Sequence, residues 1–204
     1  MNKQSVTDLV FDFKDLFERK TTSIDPTLKN IVDTIYLGSS YAQGPWIAGG
    51  MGRQLVLGET NFSDIDVWFS SAYQFERLQT RLSENFSDYM YESYNSENAV
   101  TYCIGDHKVQ LIKRAYYPSL NAVLDNFDFT CCQVAVMPDM KTVGPGIEDA
   151  KNFVLKLNKL DKKGFLARYG KYVSYGYEMN PEEFIKIITT EDLNYEFDGA
   201  VFGY

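Results

Sequence analysis

The stretch from Trp46 to Trp68, WIAGGMGRQLVLGETNFSDIDVW, constrains this chain more than any other. A short apolar run meets Gly49 and Gly50, a brief helical segment follows, and a strand then carries Asp64 and Asp66. Side chains on a strand alternate between faces, so Asp64 and Asp66 share one face while Ile65 and Val67 turn to the core. Two adjacent carboxylates repel each other unless a cation neutralises them. Oxygen ligands of this kind suit Mg²⁺ (or Mn²⁺), and Mg²⁺ is held by one or two carboxylates together with substrate phosphates. Gly49 and Gly50 allow a tight turn and the close approach of a phosphate, to which the next helix offers N–H groups and a positive dipole. A phosphate site thus lies beside a metal site, which is the chemistry of nucleotide handling.

Composition narrows the setting. At 204 residues the chain fits one domain, or one domain with a helical appendage. An apolar fraction of 45% with 15% aromatics supplies a real core. The net charge of −8 argues against a broad nucleic-acid face, whose signature is basic. Cys103, Cys131 and Cys132 form no C-x-x-C and His107 is the only histidine, so a zinc site is not expected. Reduced thiols fit a cytoplasmic location. Met1–Thr7 leads straight into a charged amphipathic helix, so no signal peptide is expected, and no apolar run is long enough to span a bilayer. Nothing in the sequence specifies an oligomeric state.

The rest of the chain reads as helices before and after a block of strands. Ser5 or Thr7 caps a first helix, and Pro26 opens a second with Leu28, Ile31, Val32 and Ile35 inward. After the D-x-D strand, Ser70 and Ser71 open a helix through about Glu84, with Phe75, Leu78 and Leu82 spaced for burial. Tyr89–Tyr94, Ala99–Ile104 and His107–Lys113 read as strands, and Pro118 starts a short helix before the apolar run Cys131–Met137. From Ile147 the pattern turns helical, basic and aromatic, with Gly164, Gly170 and Gly176 predicting short helices folded over the site. The expectation is an α/β (α+β) core over 1–145, a small mixed or antiparallel sheet flanked by helices, and a helical segment over 146–204 packed on it.

Gly49, Gly50, Arg53, Leu55, Leu57 and Gly58, followed by Asp64, Ile65, Asp66 and Val67, also form a joint pattern. It resembles the head-domain signature of polymerase-β-like nucleotidyltransferases. The variant is that of bacterial CCA-adding enzymes and poly(A) polymerases, roughly G-G-x-x-R-[DN]-L-L-L-G, a short spacer, then D-[IL]-D-[VI]. Asp128-Phe-Thr130 is similar to the end of the R-R-D-F-T motif of the same enzymes, with Asn126 and Phe127 in place of the two arginines. The resemblance covers about residues 45–137 and omits the few hundred residues those enzymes use to hold tRNA. Compact one-domain relatives of this sort also resemble those of bacteriophages and toxin–antitoxin systems.

The resemblance implies nucleotidyl transfer in which Asp64 and Asp66 hold the metal. Gly49 and Gly50 would contact the triphosphate, and Asp128 would organise its pocket. Arg53, one helical turn in, either faces a phosphate or pairs with an aspartate. The family's third carboxylate falls on the strand from His107, whose relevant face carries Asp106, Lys108, Gln110 and Ile112. Gln110 stands where the acid is expected, and an amide is no general base. Either Asp106 reaches in as a third metal ligand, or two aspartates suffice, or the site binds nucleotide without turnover. Lys108 and Gln110 are candidate nucleotide contacts. His107 points the other way by parity, and Trp68 either borders the pocket or fills the core. Lys151, Lys156, Lys159, Lys162, Lys163, Arg168 and Lys171, interleaved with tyrosines, form either a solvated face or a nucleotide-binding one.

The function expected is transfer of an NMP from an NTP, with release of pyrophosphate, to an acceptor that is an RNA end, a small molecule or a protein. The alternative is a degenerate nucleotidyltransferase fold kept for nucleotide binding or protein interaction.

Overall fold

A computed structural model describes residues 24–60, 62, 64–160 and 164–190, apart from the side chain at 190. The helix expected after Ser5 or Thr7 and the stretch 191–204 lie outside these residues.

Helix α1 (Pro26–Tyr36) starts where expected, with proline at its first position. Asp25 caps it by accepting the Thr27 N–H at 3.0 Å. Leu28, Ile31, Val32 and Ile35 are all fully buried, as their spacing predicts. After β1 (Trp46–Ala48) come α2 (Gly50–Val56) and β2 (Ile65–Trp68). Helix α3 (Ala72–Phe86) is capped by Ser71 and leads into β3 (Met90–Asn95), β4 (Ala99–Ile104) and β5 (His107–Ile112). Helix α4 (Leu120–Leu124) and the 3-10 turn Thr130–Cys132 precede β6 (Ala135–Val136) and β7 (Thr142–Val143).

The seven strands form one sheet in the order β3-β4-β5-β2-β1-β6-β7. All pairs are antiparallel except β2 with β5, whose connection runs through α3 and the β3–β4 hairpin; β1 with β6 is the other pair of strands distant in sequence. Ile65 and Val67 of β2 and Val109 and Leu111 of β5 point to the side covered by α1 and α3. Asp66, Trp68, Gln110 and Ile112 therefore face the other side. That second face is walled by Trp46, Val123 and Leu124 and opens toward the C-terminal helices.

Helices α5 (Ile147–Lys151), α6 (Phe165–Ser174) and α7 (Pro181–Thr190) follow the sheet. They join it through a third apolar cluster in which Phe129, Cys131 and Cys132 meet Leu155, Phe165 and Tyr177. Of the three glycines expected to punctuate this region, Gly164 and Gly176 bound α6 at φ 76° and 86°. Gly170 lies inside α6, where the space beside it is open. No helix among the described residues is long and apolar enough to cross a membrane.

Candidate functional site

Strand β2 sets Asp66 on the open face of the sheet, and Asp64, just before the strand, lies near enough for its charge to act on Asp66. Across the parallel pair, Asp66 is in register with Gln110. Gln110 in turn donates its amide to Thr101 Oγ1 at 3.2 Å, and Thr101 is in register with Tyr94 on the edge strand. One row across the sheet thus reads Asp66, Gln110, Thr101, Tyr94. Burial, and then the charge of Asp64, push the Asp66 carboxyl up to about 7, an effect the positive Lys171 partly offsets. A carboxylate so placed gains from a cation.

Among the described residues no third histidine, cysteine, aspartate or glutamate joins the pair. Asp106 does not reach in: it is exposed in the turn before β5, four residues from Gln110, which is about 13 Å along a strand. Lys108 shares the Gln110 face but is exposed and lies outside the cavity wall. Two carboxylates plus phosphate oxygens form a donor set that suits Mg²⁺.

The glycine turn differs in part from expectation. Gly49 adopts φ 106°, and a Cβ there would sit 3.7 Å from Asp66 Oδ2, so the turn does run beneath the carboxylate. Its N–H, however, donates to Val134 O at 2.9 Å, extending the β1–β6 ladder. The Phe127 ring covers it, 3.0 Å from that same Cβ position, in the space expected for phosphate. Gly50 remains open, with nothing within 4 Å of its missing side chain. Gly52 was not singled out by the sequence, yet a Cβ there would meet Val134 O at 2.5 Å. The spacing of the signature alone does not reveal that β6 crosses so close to α2.

Among the described residues no aspartate forms an ion pair with Arg53, and Arg53 is not part of the cavity wall over Asp66. It is 7% exposed, and its guanidinium lies 5.1–5.8 Å from the ring centres of Tyr172, Tyr175 and Tyr177. It clamps α2 to the C-terminal region.

A cavity of about 470 Å³ opens over the Asp66 face. Its floor is Asp66, Trp68, Gln110 and Ile112; Asn126, Phe127 and Asp128 form one wall, Arg168 and Tyr172 of α6 another. Trp68 fulfils both of its expected roles, being 6% exposed yet lining the cavity, with its Nε1 donating to Ala48 O at 3.2 Å. Asp128 stands at the wall, where Arg168 Nε donates to its Oδ2. The segment is braced from behind: Asp128 O accepts the Asn158 N–H at 2.7 Å, and Thr130 Oγ1 donates to Asp149 at 2.7 Å. Phe129 fills the core beside Phe165 and Tyr172. His107 lies on the far side of the sheet, 2.5 Å from the Asp25 carboxylate that caps α1.

Among the cavity residues that no sequence pattern marks are Arg114 and Tyr94. Arg114 lies over Trp68 at 5.8 Å, and Tyr94 comes from the edge strand. Arg168 was visible only as one of seven basic residues, although its spacing to Lys171 and Tyr172 marks one helix face.

The family model described as Gad2, Gabija anti-defense 2 family protein, matches residues 19–160. No curated protein matches the chain. Among solved structures it is similar to the Bacillus stearothermophilus CCA-adding enzyme in complex with CTP, with TM-score 0.57 and 16% identity over 80% of this chain and 42% of that one. The Thermotoga maritima CCA-adding enzyme complexed with tRNA gives 0.55 and 17% over 81% and 41%. A tRNA nucleotidyltransferase complexed with a primer tRNA and an incoming ATP analog gives 0.52 and 18% over 69% and 44%. At these identities the likeness is one of fold, the nucleotidyltransferase head. The chain spans less than half the length of each of those enzymes.

Proposed function

Because the chain belongs to the Gabija anti-defense 2 family, we propose that it serves an anti-defense role as a metal-dependent nucleotidyltransferase. It moves an NMP from an NTP to an acceptor and releases pyrophosphate. The observation that carries this reading is the Asp64–Asp66 pair above the Gly49 turn, with Asp66 pushed up to about 7 by burial and by Asp64. Asp64 and Asp66 would hold Mg²⁺ (or Mn²⁺), which would supply charge neutralisation at the triphosphate. Gly50, the uncovered glycine of the turn, lets the nucleotide approach α2. Asp128, held by Arg168, fixes the wall of the pocket beside it. Trp68 and Phe127, edge to face at 5.4 Å, give the cavity an apolar flank for a base.

The net charge of −8 favours a protein, a small molecule or a nucleic-acid end as acceptor over a long nucleic-acid footprint. A cytoplasmic site of action fits its free cysteines. A second reading, nucleotide binding without turnover, is favoured by one observation: the register position opposite Asp66 holds Gln110 rather than an acid.

Calorimetric titration of each NTP with and without Mg²⁺ tests the common ground of both readings. Saturable binding that requires Mg²⁺ and is lost in Asp66→Asn supports them. No binding by any NTP under either condition removes both.

A further inference from the structure

The arginine pair that precedes D-F-T in the resembling enzymes is replaced here by Asn126 and Phe127, and Phe127 lies over Gly49. Phe127 thus covers one backbone approach to the site, while a triphosphate beside two carboxylates needs positive charge. That charge comes from another element. Along α6, Arg168 and Tyr172 line the cavity, and Lys171, at i+3 from Arg168, stands on the adjoining part of that helix face. Arg168 bonds Asp128, the residue next to Phe127. Lys171 is exposed, and its charge acts on Asp66 at the cavity floor.

We infer that Arg168 and Lys171 of α6 bind the triphosphate of the nucleotide. The inference rests on the nucleotide reading above. It says where the phosphates lie: between the Asp64–Asp66 pair and α6. The other cation of the cavity, Arg114, is less well placed. It follows β5 by two residues, and its guanidinium is engaged over the Trp68 ring at 5.8 Å. A helix from the C-terminal region thereby completes a site whose carboxylates come from the sheet. Nucleotide binding and docking of α6 are then linked, because Arg168 contributes to both.

The test compares wild type, Lys171→Ala, Lys171→Arg and Arg168→Ala by calorimetry against three probes: an NTP with Mg²⁺, inorganic tripolyphosphate with Mg²⁺, and the matching nucleoside. The expected result is that Lys171→Ala weakens the NTP and tripolyphosphate about tenfold each and leaves the nucleoside unchanged, while Lys171→Arg restores both to within about threefold. Arg168→Ala also removes the bond to Asp128, so its melting curve is recorded alongside. Lys171→Ala alters an exposed side chain and carries the test even where Arg168→Ala unfolds.

Wild-type affinities in Lys171→Ala overturn the inference while leaving the nucleotide reading intact. Loss of NTP binding with tripolyphosphate unaffected overturns it in favour of a base or ribose contact. Unchanged NTP binding with tighter Mg²⁺ binding overturns it in favour of Lys171 as a substitute for the metal. Failure of wild type to bind either NTP or tripolyphosphate ends the nucleotide reading, and this inference with it.

Discussion

Asp66 and Gln110 sit opposite each other across the one parallel strand pair of the sheet, and Gln110 directs its amide to Thr101 rather than to Asp66. The residue best placed to be a third carboxylate is thus a neutral side chain engaged elsewhere. Gln110→Glu restores an acid there. Without metal it crowds three negative charges and lowers the melting temperature; with Mg²⁺ it recovers more than wild type does. Thermal melts of both proteins with and without Mg²⁺ check this, and an equal Mg²⁺ response would contradict it.

The raised Asp66 carboxyl gives stability a definite pH dependence. Burial first, and Asp64 second, lift it from the ordinary 3.8 to about 7. Between those values the unfolded chain has released the proton while the folded protein keeps it, so this group's contribution falls as pH rises from about 4 to 7. Asp66→Asn removes that slope. The melting temperature of the variant relative to metal-free wild type should climb across this window, and Mg²⁺, which favours the charged carboxylate, should shrink the gap at pH 7. A difference that stays flat with pH would show that Asp66 titrates as an ordinary aspartate.

Arg53 acts as a clamp. Its guanidinium is almost fully buried among Tyr172, Tyr175 and Tyr177. Arg53→Ala should cost about 2 kcal/mol of stability, from lost cation–π contact and lost packing. NTP affinity of the folded variant should stay within about twofold of wild type. A large drop in affinity at unchanged stability would return Arg53 to the phosphate site.

The two glycines flanking Met51 should respond oppositely to alanine. A Cβ at Gly52 meets Val134 O at 2.5 Å, so Gly52→Ala must push α2 off β6 and should cost about 2 kcal/mol or more. Gly50 has open space and a helical position, so Gly50→Ala should leave stability unchanged or slightly raised. Denaturant titration of the two variants separates them. If Gly50→Ala also weakens NTP binding, the open face of the turn is where the nucleotide lies.

The parts of this molecule that local pattern controls were legible in the sequence. Proline and apolar spacing placed α1, Ser71 placed the start of α3, and alternation placed β2 and β5 with Asp66 and Gln110 on one face. What local pattern does not encode is which distant segment fills a given space. Nothing near Gly49 in sequence announces that Phe127 lies over it, and nothing near Arg53 announces three tyrosines more than a hundred residues away. The basic segment illustrates the same limit. Lys156 pairs with Asp149 and Lys151 with Glu148 in ordinary surface contacts, while Arg168 turns to Asp128 at the cavity. Their residue types were alike; only the path of the chain sorts them.

Pyrophosphate release from each of the four NTPs with Mg²⁺ or Mn²⁺ tests nucleotidyl transfer most directly. Wild type is compared with an Asp64→Ala/Asp66→Ala double variant, with RNA or cell extract supplied as acceptor. Nucleotidyl transfer at Asp64 and Asp66 requires metal-dependent release from at least one NTP that disappears in the double variant. Release that persists in the variant, or its absence from wild type that binds NTP and Mg²⁺ to saturation, would contradict nucleotidyl transfer at this site.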